Sequence, residues 1–461
     1  MLHLKPRALA RPHTLCLLAG TLAAALVTPL SQAEVSADEA ATLKTTLTPF
    51  GAERAGNKDG SIPDWTGKPT PGADIGPDHR RKDPFANEKP LYTVTAKNLD
   101  QHADKLTEGT KALLKKYPDS FRLDVYPSHR TAIAPQWVYD QVAKNALTTK
   151  LIELSSGAVP QNTYGAVPFP IPKSGIEVVW NHQMHWRMPN YRLAARGYQI
   201  APDGNWILIQ DVGVDASYPF LQRDQADKWN GEYFQVRQQT FGPAIRSGEA
   251  ITGRLSVDDD KTTTWVYLTG QRRVRRLPNP CCDTPSTMSA GIATFDEVTV
   301  FSGRTNRFDW KLVGKREMLV PYNSNRTVKT ADKDLFGDRV LNPQHVRWEL
   351  HRVWVVDAVL RPGQRHPYPK GRYYFDEDTW MGLLAERYDA NGNLARVPFQ
   401  LPMVASDGPA TMESVWGVYD LLGGSSFVNN LMGEKNDPMR PVPAYKDSVF
   451  TPDAMASEGV R

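Results

Sequence analysis

His182-Gln183-Met184-His185, with Met188 just beyond, offers the imidazole and thioether donors that suit copper. Two histidines three apart point to opposite faces of a strand and converge only in a helix or a turn. No metal is therefore expected there. Asn57-Lys58-Asp59-Gly60-Ser61-Ile62 has the alternating oxygens and the turn glycine of a calcium loop. Ala55, however, stands where the first carboxylate belongs and Thr66 where the bidentate glutamate belongs, so a plain Asx/Gly turn is expected. Asp376-Glu377-Asp378 could serve acid–base chemistry, yet nothing near it in sequence would perturb a pKa, and it reads as a solvated loop face. Cys281 and Cys282 could close a strained vicinal disulfide or remain thiols. As neighbours they give neither zinc-site spacing nor a disulfide framework. The chain has no Gly-x-Ser-x-Gly elbow, His-Glu-x-x-His, Walker loop or dinucleotide fingerprint. No catalytic residue and no cofactor are expected, and the chain is read as a non-enzyme.

A second chemical signature is cationic. Trp265-Val266-Tyr267-Leu268 is followed by the turn Thr269-Gly270-Gln271 and then by Arg272, Arg273, Arg275 and Arg276 around Val274. β-Branched and aromatic residues on either side of a glycine turn predict a β-hairpin. Four arginines so close cannot all face a core, so this arm must lie at an edge or rim.

The elements around these groups read mostly as strands. Trp310, Leu312, Met318, Val320 and Tyr322 form a period-2 stripe, and Trp348 and Leu350 alternate with Glu349 and His351 before Trp354 and Val356. Ala201–Asn205 and Asp389–Asn393 are turn sequences between apolar runs, which predicts further hairpins. Helices are expected from Asn98, as cap, to Lys116, and from Pro135 through Leu147. The reading is mainly β with a few helices: a strongly curved antiparallel sheet, its strands joined by turns. Trp265, Tyr267, Trp310, Leu312, Met318, Trp348, Leu350 and Trp354 are the expected apolar lining of its concave face, with the four arginines at its rim. Strand parity alone does not say which face is concave.

The termini and composition place the chain. Lys5, Arg7 and Arg11 precede an apolar stretch, Leu15–Val27, and Ser31-Gln32-Ala33 suits a signal peptidase, so residues 1–33 read as a secretory signal cleaved after Ala33. Residues 34–95, rich in Pro, Gly, Asp and Lys, read as an extended arm, and 96–461 as the main domain. Of the formal net charge of +4, three positive charges belong to the signal, leaving +1. Nucleic acid thereby loses its support as a partner. A bacterial periplasm is the expected destination.

Longer blocks carry a family resemblance. Asn57 to Trp65, Val125-Tyr-Pro-Ser-His-Arg130, Trp180-Asn-His182, Asp309 to Met318, Val320-Pro-Tyr-Asn323, His351 to Val356 and Tyr374 to Trp380 together resemble a large family of proteobacterial periplasmic proteins described as outer-membrane lipoprotein-sorting proteins. More distantly, the Trp265 strand, the arginine arm and the Asp389–Asn393 hairpin are similar to those of the Lol lipoprotein carriers. That resemblance implies a half-open barrel that shuttles acyl chains, and partners drawn from lipid or lipid-modified protein, an RND-type exporter and an outer-membrane protein. The expectation is a carrier or chaperone for hydrophobic cargo. The alternative is a scaffold for an outer-membrane protein that carries nothing.

Overall fold

The alternation of apolar residues is realised as a sheet of unusual width. The computed structural model describes residues 35–277 and 281–458, so the signal reading of residues 1–33 lies outside the described residues. The strands are β1 (Tyr92–Val94), β2 (Leu123–Val125), β3 (Lys150–Leu154), β4 (Gly157–Gln161), β5 (Asn190–Ile200), β6 (Trp206–Ser217), β7 (Glu232–Gly242), β8 (Ala250–Ser256) and β9 (Thr263–Leu268). They continue with β10 (Arg273–Arg276), β11 (Phe308–Pro321), β12 (Trp348–Leu360), β13 (Lys370–Asp376), β14 (Gly382–Tyr388), β15 (Leu394–Ala405), β16 (Ala410–Asp420), β17 (Ser426–Leu431) and β18 (Met439–Pro441).

Sixteen strands form one open sheet in the order β1-β2-β12-β13-β14-β15-β16-β17-β5-β6-β7-β8-β9-β10, with β11 paired to β12 and β18 to β5. Two meanders, β12–β17 and β5–β10, meet where β17 pairs antiparallel with β5. Within each meander most antiparallel neighbours are joined by short turns, and β6 and β7 by a longer connection that holds two 3-10 turns. Ala201–Asn205 closes by an Ala201 N–H to Asn205 carbonyl bond of 2.9 Å, and Asp389–Asn393 by the equivalent bond of 3.0 Å. The hairpin of β9 and β10 is present, and β10 ends the sheet.

The long aromatic stripe does not stay on one face. The β11–β12 register shifts between Leu312 and Gly314, and Gly314 has φ +128°, a value that favours glycine. Trp310 and Leu312 pair with Ala358 and Val356, whereas Met318 and Val320 pair with His351 and Glu349. One inserted residue thus turns the second half of the stripe over. The described residues form two large apolar cores. Trp310, Leu312 and Trp354 pack on one, around Phe301, Tyr373 and Trp380. Met318, Trp348 and Leu350 lie in the other, with Tyr322 and Phe399.

The first predicted helix is broken. Leu99–Lys105 is a 3-10 turn, Leu106 is extended, and the α-helix Glu108–Lys116 starts afresh from Thr107, whose hydroxyl accepts the Thr110 N–H. Asn98 does not cap it. Its side chain accepts from the Thr95 N–H and donates to the Thr93 carbonyl. The second helix runs Gln136–Thr148 with Pro135 at its N-cap. Residues 35–91 hold little regular structure, yet they are tied to the sheet. Trp65 Nε1 donates to the Ala132 carbonyl at 3.0 Å, and Arg81, itself buried, pairs with Asp407. Among the described residues no helix is long and apolar enough to cross a membrane.

Candidate functional site

An apolar recess lies on the β5–β9 part of the sheet. Alternate residues project from one face there: Leu193, Val214, Phe234, Val236, Ile251, Leu255 and Thr264, joined by Trp416 from β16 and Asn429 from β17. Segment 281–303 crosses over them and contributes Cys281, Met288, Phe295, Val298 and Phe301. Between sheet and cover is a cavity of about 210 Å³. Its lining is mostly apolar with a few polar groups, Arg187 and Glu413 among them, the arrangement common to small-molecule sites.

The cover is irregular and held by a few side chains. Asp296, buried, accepts from Arg387 at 3.0 Å and contacts His366 Nε2 at 3.1 Å. Burial pushes the Asp296 carboxyl up, but the Arg387 guanidinium and His366 more than offset it and leave it at about 2. His182 Nε2 reaches the Phe301 carbonyl at 2.9 Å, and Gln183 Oε1 accepts the Gly303 N–H at 2.9 Å. Between these anchors Thr299 and Val300 have φ of +48° and +76°. A β-branched residue in the left-handed region is strained, so local packing must hold it. Val300 is fully buried, with its side chain beside Gly382.

Arg187 is the cationic group of the cavity, which Asp259 and Glu413 also line. It donates to the Tyr218 hydroxyl at 2.9 Å and approaches Glu413 to 3.8 Å, while Tyr191 donates to Glu413 at 3.1 Å. Arg187 Nε, Gln183 Nε2 and Glu413 Oε2 are buried without a partner. Such orphans are rare in folded chains. His182, one wall of the cavity, is kept neutral by burial and by Arg187, with its pKa lowered to about 4. Its Nδ1 accepts the Gly382 N–H at 2.9 Å.

His182 is on the helix Gly175–Gln183 and His185 lies just after it, so the two rings do approach, with centroids 5.8 Å apart. Both nitrogens of His182 and Nδ1 of His185 meet backbone groups. Met184 and Met188 are buried in the core. Asn57–Ile62 is a turn closed on itself: Asn57 Oδ1 accepts the Ile62 N–H at 2.9 Å and Asp59 Oδ1 accepts the Ser61 N–H at 3.0 Å. Cys281 and Cys282 are free thiols. The neighbouring Cys282 thiol, then Arg307 and Arg304, lower the Cys281 pKa against the upward push of burial, whereas Cys282 is raised.

None of the eight predicted lining residues lies on this cavity. Thr264, not Trp265, faces it. Trp265 pairs with Thr252, whose hydroxyl meets Met455 of the C-terminal helix Pro452–Glu458 on the opposite side of the sheet. Tyr267 shares the parity of Trp265 and is buried. Trp310, Leu312, Met318, Trp348, Leu350 and Trp354 belong to the cores described above. Arg272, Arg273, Arg275 and Arg276 are all exposed, on the turn and the edge strand β10.

Asp376-Glu377-Asp378 is the clearest departure from the sequence reading, because all three are buried rather than solvated. Their partners come from remote segments. Arg130 grips both oxygens of Asp378 at 2.8 and 2.7 Å, and Lys315 and Arg352 meet Glu377 at 3.0 and 3.2 Å. Tyr322 and Thr379 donate to Asp376 Oδ2, and Asp376 Oδ1 has no partner. Burial, reinforced by Asp378, pushes Asp376 up to about 6. His351, Asp376 and Asp378 bring ligand atoms within 4.8 Å of one another. Arg130 already occupies Asp378, so the residues present fit a charge-balanced network better than a cation.

With fold and cavity in view, the chain can be placed. Residues 93–456 match the model of DUF1329, a family of proteins of unknown function, and the chain belongs to that family. It is 37% identical over 450 residues, 96% of this chain and 98% of the relative, to the uncharacterized protein PA3922 of Pseudomonas aeruginosa. Among solved structures, an outer membrane lipoprotein-sorting protein domain from Vibrio parahaemolyticus aligns with 61% of this chain and 98% of its own at 12% identity and TM-score 0.43. A DUF1329 family protein from Desulfovibrio piger covers 58% of this chain and 92% of its own at 15% identity and TM-score 0.39. The LolA superfamily protein NE2245 from Nitrosomonas europaea covers 61% and 100% at 13% identity and TM-score 0.35.

Proposed function

We propose that this protein is a periplasmic carrier that holds a hydrophobic chain, from a lipid or a lipid-modified protein, in the cavity beneath segment 281–303. The observation that carries the reading is the lining: aliphatic and aromatic side chains of β5–β9 face a cover of Met288, Phe295, Val298 and Phe301 across open space. Affinity there comes from apolar burial, about 25 cal/mol per Å². A cover held by a few side-chain anchors suits loading and release.

In this reading the sheet curves into a half-open barrel with the cavity on its concave side. A signal cleaved after Ala33 delivers the chain to the periplasm, and cargo passes between an RND-type exporter and an outer-membrane protein. No bond is made or broken. A neutral His182, with its ring nitrogens engaged by backbone, supports binding over catalysis. The test is displacement of an uncharged fluorescent naphthylamine by long-chain amphiphiles, in the native protein and in Val236→Trp and Leu255→Trp. The native chain takes up the probe and releases it to amphiphiles, and both variants lose uptake. A native chain that never takes up probe or amphiphile contradicts the proposal.

A further inference from the structure

The same strands that line the cavity end in a tip built unlike the rest of the surface. Phe241, near the end of β7, and Ile245, in the β7–β8 connection, are 61% and 87% exposed, and Ile245 sits in the 3-10 turn Ala244–Arg246. The β9–β10 turn lies against this connection: a methyl group placed on Gly248 would meet the Thr269 side chain at 2.8 Å. From that turn onward Arg272, Arg273, Arg275 and Arg276 are exposed, and none of them enters an ion pair among the described residues. The acids at this end are already taken. Glu249 pairs with Arg246 at 2.9 Å, and Asp211 pairs with Arg196 at 3.1 Å and with Lys435.

A single exposed isoleucine would be ordinary. Here two large apolar side chains protrude beside four uncompensated arginines. A soluble fold gains nothing by exposing the first, and the arginines, solvated in the free protein, leave a local positive charge that a negative surface would complement. Apolar residues that enter an acyl boundary while arginines meet phosphates at its edge are the chemistry of interfacial membrane binding. A flat acidic protein surface would match the arginines but leave Phe241 and Ile245 unused. We propose that Phe241 at the end of β7, Ile245 in the connection after it and the Arg272–Arg276 arm form a docking tip for a bilayer surface rich in anionic phospholipid. This inference does not depend on the cavity holding anything.

Co-sedimentation with phosphatidylcholine vesicles, with and without phosphatidylglycerol, tests it at low salt. The protein binds the anionic vesicles about tenfold or more tightly than neutral ones, and added salt weakens the binding. Ile245→Asp and the double variant Arg272→Glu/Arg273→Glu each lower partition about tenfold, with unchanged circular dichroism. All of these positions are exposed, so the variants retain the fold. Equal binding to both vesicles, no binding to either, or full binding by Ile245→Asp overturns the proposal. Capture by an acidic polypeptide without vesicle binding overturns it in favour of a protein partner.

Discussion

Asp296→Asn is the most informative single perturbation of the cover. The side chain keeps its shape and loses its charge, so the buried Arg387 guanidinium faces no carboxylate at 3.0 Å. Asp296 sits at about 2 instead of 3.8, which corresponds to roughly 2–3 kcal/mol of stabilisation at neutral pH. Breaking a buried pair by removing one partner costs about 3–5 kcal/mol, so a loss of about 3 kcal/mol is expected. The sign in pH follows from a depressed carboxyl. The contribution is complete above the unfolded value of 3.8 and disappears as pH falls toward 2. Hydrogen exchange read by mass spectrometry locates the effect. Segment 281–303 loses protection at neutral pH, while β12–β16 keep theirs. Urea unfolding gives the magnitude and shows the variant and native proteins converging near pH 2. Unchanged exchange in 281–303, or a loss spread evenly over the sheet, refutes the assignment of Asp296 as an anchor of the cover.

Further outcomes follow from other groups. Asp376 is raised from 3.8 to about 6, so its contribution to stability falls as pH rises through that window, and Asp376→Asn removes the dependence and gains up to roughly 3 kcal/mol at pH 8. Urea midpoints measured across that range check it, and a variant that keeps the same slope contradicts it. Alkylation by iodoacetamide reaches Cys281 before Cys282, and a bound amphiphile slows it because Cys281 lines the cavity. Peptide mapping reads the order, and equal labelling counts against it. His182→Phe removes the bond to the Phe301 carbonyl and raises exchange in the 299–303 stretch, whereas a metal role for His182 would instead appear as lost copper or zinc in elemental analysis.

The hairpins were legible because their signals are local. Glycine and Asx residues at Ala201–Asn205 and Asp389–Asn393 dictate turns, and alternation dictates strands on either side. The lining was not legible, for two reasons. Parity tells that Trp265 and Thr264 face opposite ways, but only the docking of the C-terminal helix and of segment 281–303 decides which face is which. The stripe through Trp310 and Met318 is interrupted in sequence only at Gly314 and Arg316, and that short gap is the one trace of the bulge that turns it over. The acidic run 376–378 looked solvated because Arg130 and Lys315 reach it across long separations, and no local pattern encodes them. The cover itself, 281–303, has neither period, and its anchors Arg387 and His366 are remote in sequence.

The central claim is that the space between β5–β9 and segment 281–303 carries a hydrophobic chain. Native mass spectrometry of protein purified from the periplasm tests it most directly. The native protein carries a bound amphiphile whose mass is lost on organic extraction and is absent from Val236→Trp. A native protein that shows only the bare chain mass, and still does so after incubation with periplasmic lipid extract, contradicts it.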